Sequence, residues 1–103
     1  MEKFERIEAG SYDFVYEKEL SAGEENILQM PKKTKNGRTA EAIGWQSDGD
    51  VTLYGTFANN PEGENTMWQQ INENEEINKA VSAIKIVAGS DACRIVIRAV
   101  YGS

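Results

Sequence analysis

Strict alternation of apolar and polar residues is the feature that most constrains this chain. In Cys93–Tyr101, the residues Cys93, Ile95, Ile97, Ala99 and Tyr101 alternate with Arg94, Val96, Arg98 and Val100. Successive side chains of a strand point to opposite faces, so this pattern predicts a half-buried strand. Tyr12–Leu20 repeats it, with Tyr12, Phe14, Tyr16 and Leu20 on one face and Asp13, Val15, Glu17 and Glu19 on the other. In Val51–Ala58, Val51, Leu53, Gly55 and Phe57 alternate with Thr52, Tyr54 and Thr56. Val81–Val87 makes a further strand, with Ile84 and Ile86 on one side.

Turn chemistry separates these runs. The stretch AGSDA at 88–92 reads as a hairpin turn joining the last two strands. KNGR at 35–38 places Asn36-Gly37 where a type I′ turn needs positive φ, with strands at Asn26–Met30 and Thr39–Trp45 flanking it. Pro31 pushes the first of these toward an edge. SDGD at 47–50 is another turn, and NNPEGEN at 59–65 is a longer loop. One segment breaks the alternation. In NTMWQQINENEEI, Met67 and Ile71 stand four apart and Thr66 and Gln69 have the spacing of a capping box, which predicts one or two helical turns.

The expected fold is therefore one all-β domain over 1–103. It is an antiparallel β-sandwich, jelly-roll-like, with a short helix near residues 66–71. Its expected core is Phe14, Tyr16, Leu53, Phe57, Trp68, Ile84, Ile86, Ile95 and Ile97. Trp68 is expected to plug one end of that core together with Met67 and Ile71. On that reading Trp68→Ala would cost about 3–5 kcal/mol. Trp45 follows an apolar strand and is expected in the core as well.

Composition narrows the function. The 103 residues carry a net charge of −6. That is the wrong sign for a nucleic-acid footprint or for adsorption to an anionic membrane. No stretch approaches the ~18 apolar residues of a membrane span, and MEKFERIEAG is no signal peptide, so synthesis in a cytoplasm is expected. The chain has no histidine and one cysteine, which removes the commonest general base, the commonest transition-metal ligand and any intrachain disulfide. Cys93 has inward parity and reads as an inert core thiol. Asp48, Asp50, Glu62 and Glu64 supply oxygen ligands but not the spacing of a calcium loop, so no metal and no cofactor is expected. A two-carboxylate glycosidase site would need a cleft that a chain this small offers poorly.

Contact residues follow from parity and charge. Tyr54 points outward between two threonines. KKTKNGR at 32–38 holds four of the eleven basic residues, so Lys32, Lys33 and Lys35 form either a docking loop or a solvated guard for an edge strand. Arg94, Val96, Arg98 and Val100, together with Val81, Lys85 and Val87, would make a basic, half-apolar patch. Asp13, Val15, Glu17 and Glu19 make an acidic counterpart. The two are either neighbours in one sheet or complementary surfaces on different copies.

The order GDVTLYGTF, MWQQI, INKAVSAIKIV, CRIVIRAVY resembles small β-sandwich proteins encoded in bacteriophages and prophages. The resemblance covers about half the chain. It implies a virion-associated or particle-assembly setting and brings no catalytic residue with it. The expected function is that of a non-enzymatic structural or interaction protein that self-associates or docks other particle proteins. Tyr54, Lys85, Arg94 and Arg98 would be its contacts, with the 32–35 lysines. The alternative is a carbohydrate-binding module that stacks a sugar on Tyr54 or Trp68.

Overall fold

The computed structural model of the protein describes residues 1–7, 13–31, 40–73 and 75–101. Its strands are β1 (Glu2–Lys3), β2 (Glu5–Arg6), β3 (Asp13–Leu20), β4 (Glu25–Gln29), β5 (Ala40–Ser47), β6 (Val51–Thr56), β7 (Gln69–Ile71), β8 (Ala83–Ala88) and β9 (Cys93–Tyr101). They form two sheets, ordered β1-β4-β8-β6-β7 and β2-β3-β9-β5. All pairings are antiparallel except that of β1 with β4. The all-β class is present, and among the described residues there is no helix.

The segment expected to be helical is extended. Gln69–Ile71 forms β7 and pairs Leu53↔Ile71, Tyr54↔Gln70 and Gly55↔Gln69. One or two helical turns carry a costly nucleus, whereas an extended segment gains ladder bonds from β6 at once. The hydroxyl of Thr66 donates to the Asn60 and Gly63 carbonyls and ties the 60–66 loop instead of capping a helix.

The last two strands do not form a hairpin. β8 pairs with β4 and β6, whereas β9 pairs with β3 and β5, so residues 89–92 cross from one sheet to the other. Residues 48–50 make the same crossing between β5 and β6, and residues 21–24 between β3 and β4. β4 and β5 likewise lie in different sheets, and the Asn36-Gly37 turn expected between them falls outside the described residues. Backbone bonds lace the three short crossings together. Gly23 N–H donates to Gly89 O, Gly89 N–H to Asp50 O and Ala88 N–H to Glu24 O, each at 2.8 Å. Gly23 sits at φ 73°, a conformation that a Cβ disfavours.

One core draws on both sheets. Phe14, Tyr16 and Leu20 of β3, Ile43 of β5 and Ile95, Ile97 and Ala99 of β9 meet Leu28, Leu53, Ile84 and Ile86 from the other sheet. Seven of the nine expected core residues are therefore in place. Phe57 and Trp68 are not. β6 ends at Thr56, so the chain leaves the sheet before Phe57 can take its inward turn. Ile77 and Val81 take the closing role expected of Trp68. Both are buried, Ile77 N–H reaches Ile43 O, and Val81 packs so close over Gly55 that a Cβ there would lie 2.9 Å from its methyl. Trp45 is half-buried against the core rather than within it.

The crossings give a paired test. A Cβ at Gly49 would fall 2.7 Å from the Cβ of Cys93, while one at Gly44 would meet nothing within 4 Å. Gly49→Ala should destabilise the fold by about 1–3 kcal/mol through overpacking. Gly44→Ala should stay within about 0.5 kcal/mol of the parent. Urea unfolding of both variants checks this, and equal midpoints would refute the close packing of the crossings.

Candidate functional site

The outer face of the five-stranded sheet gathers side chains that are remote in sequence. Register places Ile27, Lys85, Tyr54 and Gln70 in one cross-strand row. Trp68 immediately precedes β7 and is half-buried beside this row. The Lys85 ammonium lies 4.8 Å from the Trp68 ring centroid and 6.0 Å from that of Tyr54, and pairs with Glu25 at 3.9 Å. A cation over an indole is held by the ring's negative face, worth about 0.5–1 kcal/mol at an exposed site. Trp68 is thus neither a core plug nor a bare platform. One face of its ring is covered by a lysine of the neighbouring sheet row.

Beyond Trp68 lies a cavity of about 590 Å³ between the end of β6 and the segments that follow β6 and β7. Phe57, Met67, Ile71 and Val81 supply its apolar wall, and Glu75 and Glu76 stand at its rim. Phe57 is 62% exposed and Met67 86% exposed. Large apolar side chains this exposed, grouped around one hollow, mark an interaction surface more often than a solvated one. Neither residue was expected here. The one sequence signal was the loop-forming Asn59-Asn60-Pro61 two residues after Phe57, which ends the strand early.

The remaining expected contacts are dispersed. Arg94 and Arg98 lie on the outer face of the other sheet, so the basic patch expected to join them to Lys85, Val81 and Val87 does not form. The acidic and basic stripes are neighbours in one sheet, with Glu19↔Arg94, Glu17↔Val96, Val15↔Arg98 and Asp13↔Val100 paired, and Arg94 bonds Glu17 directly. Lys32, Lys33 and Lys35 lie outside the described residues. Of the residues singled out from sequence, Tyr54 and Lys85 are brought together, with Trp68.

A second charged group sits at the seam between the sheets. Lys18 has the inward parity of Phe14, Tyr16 and Leu20, and its ammonium bridges Glu2 at 2.6 Å and Glu24 at 3.3 Å. Tyr16 donates its hydroxyl to the same Glu2 oxygen at 3.3 Å. The bond from Lys18 holds the Glu2 carboxyl below its usual range, and bonds from Asn26 and Ser21 do the same for Glu24. Lys18 is raised, chiefly by Glu2. Every member is locked in its neutral-pH charge state, the reverse of a general acid or base poised near the working pH. Cys93 is equally unreactive. Burial first, then Asp48 and Asp50, push its thiol up and away from the nucleophilic thiolate. The Asp48 carboxylate accepts the Arg94 backbone N–H at 2.7 Å and serves a crossing between sheets.

No family model, no curated protein and no solved structure matches the chain. The site stands on its own geometry.

Two outcomes are expected. Trp68→Ala should cost about 1–2 kcal/mol, the sum of a half-buried ring and one exposed cation–π contact, not the loss of a core tryptophan. Denaturant midpoints decide this, and a loss above about 3 kcal/mol would restore the plug. Burial first, and the Glu2 charge second, raise Tyr16 from 10.0 to about 12. A raised phenol contributes stability that is whole below the unfolded value and fades as pH climbs through the folded one. Melting temperature should therefore decline between pH 10 and about 12. Tyr16→Phe should remove a step of tyrosinate absorbance near pH 12; a profile with all steps intact would contradict the assignment.

Proposed function

We propose that the protein is a non-enzymatic interaction protein that docks a partner protein through Phe57, Met67 and Trp68. The fold that carries it is read as a jelly-roll-like β-sandwich. Three crossings join strands in matching places of the two sheets, and β4-β8-β6 runs in the same order as β3-β9-β5, which supports that reading. The setting implied by the resemblance is assembly of a phage or prophage particle.

One observation carries the docking reading: two large apolar side chains, 62% and 86% exposed, flank a hollow of about 590 Å³. Aromatic residues and methionine are enriched at interface centres, with polar groups around them. Glu75 and Glu76 on one rim select a partner whose apolar anchor is flanked by lysine or arginine. A second reading, glycan binding, draws support from Trp68 and Tyr54 sharing one outer face with Gln70.

Trp68 is its own reporter in a Trp45→Phe background. Peptides selected from a random display library on this protein should share an aromatic or aliphatic residue beside lysine or arginine, and should shift Trp68 emission. Phe57→Ser with Met67→Ser should abolish that binding while leaving stability within about 0.5 kcal/mol, both residues being exposed. Quenching of Trp68 by oligosaccharides, with no peptide consensus, would replace docking by the glycan reading.

A further inference from the structure

Among the described residues, three of the four sheet edges are very short strands. β1 and β2 have two residues each and β7 has three. The fourth edge, β5, has eight residues, AEAIGWQS, with a single charge among them. Proteins blunt their edges with short strands, charge or proline, because an open edge templates pairing with another chain. β5 departs from that practice, which the other three edges follow.

The topology of the described residues leaves this edge without a partner strand. β1 continues into β2, β4 follows β3, β8 precedes β9 and β6 follows β5, so these strands pair off between the two sheets. β7 has no counterpart. Among the described residues, no strand pairs with the outer side of β5. The segment after β7 passes by and gives it one backbone bond, from Ile77 N–H to Ile43 O at 3.3 Å. That bond also fixes the parity: the Ile43 carbonyl points away from β9. Alternation then turns the N–H and C=O of Trp45 and Ser47 to the same open side. A cleft of about 450 Å³ runs along this stretch, with Glu73, Glu75 and Glu76 on its far wall. Ala42 and Gly44 are exposed and small, and nothing lies within 4 Å of where a Gly44 Cβ would be.

We infer that β5 accepts an extended, cationic segment of a partner protein as an added strand, with Trp45 and Ser47 supplying the backbone bonds and Glu73, Glu75 and Glu76 facing its lysines or arginines. Main-chain bonds give such an addition its affinity, and alternate side chains give it selectivity. Charge disfavours a second copy as the occupant. Two β5 edges side by side would bring two sets of these carboxylates together, in a chain whose net charge is already −6. This surface shares Glu75 and Glu76 with the Phe57 and Met67 hollow but not its apolar wall, and its backbone bonds at β5 stand if that docking reading falls.

The probes are a peptide of alternating lysine and valine and a glutamate–valine peptide of the same length. The parent protein should bind the first and not the second, and binding should slow amide hydrogen exchange at Trp45 and Ser47. Glu75→Lys with Glu76→Lys, both exposed in the parent, should weaken the lysine peptide about tenfold, two exposed ion pairs being lost. Phe57→Ser with Met67→Ser should leave this binding unchanged. Three results would overturn the inference: no binding, binding without protection at Trp45 and Ser47, or protection of those amides by self-association seen in light scattering.

Discussion

Three short crossings at one end of the molecule hold the two sheets in register. Each carries the chain from a strand of one sheet into a strand of the other, and each is bonded to its neighbour through the backbone of Gly23, Gly89 and Asp50. Two glycines are there for space: a Cβ at Gly49 would collide with Cys93, and one at Gly89 would lie 3.0 Å from Asp50. Because the crossings are short, the inward rows of β8 and β9 face the same core from opposite sides. Ile84 and Ile86 therefore meet Ile95 and Ile97 without sharing a sheet.

This arrangement explains what the sequence disclosed and what it concealed. Alternation states which face of a strand is buried, so Phe14, Tyr16, Leu53 and the four isoleucines of β8 and β9 were legible. It does not state which strand lies alongside. Residues 89–92 suit a hairpin or a crossing equally well, and only the packing of glycine against a neighbouring crossing separates the two. The same ambiguity concealed the site. Lys85 belongs with Tyr54 and Trp68 because β8 lies beside β6, and not with Arg94 and Arg98 on the strand that follows it. Lys18 shows a different limit. Its parity placed it inward, but nothing local showed that Glu2 and Glu24 would meet its charge there.

The chemistry is distributed accordingly. The titratable groups drawn between the sheets are paired into fixed charge states, and the one thiol is buried against nearby carboxylates. Two surface features stand apart from these pairs among the described residues: Phe57 and Met67 around one hollow, and the outer edge of β5 along another cleft. Glu75 and Glu76 stand between the two and border both.

The core, the Lys85 cluster and the outer edge of β5 all depend on the last two strands lying in different sheets. Cross-strand nuclear Overhauser contacts in labelled protein test this directly. The account predicts backbone contacts of Ile97 with both Tyr16 and Trp45, and of Ile86 with Leu53 and Asn26. A ladder of backbone contacts running directly between residues 83–88 and 93–98 would show a hairpin and contradict it.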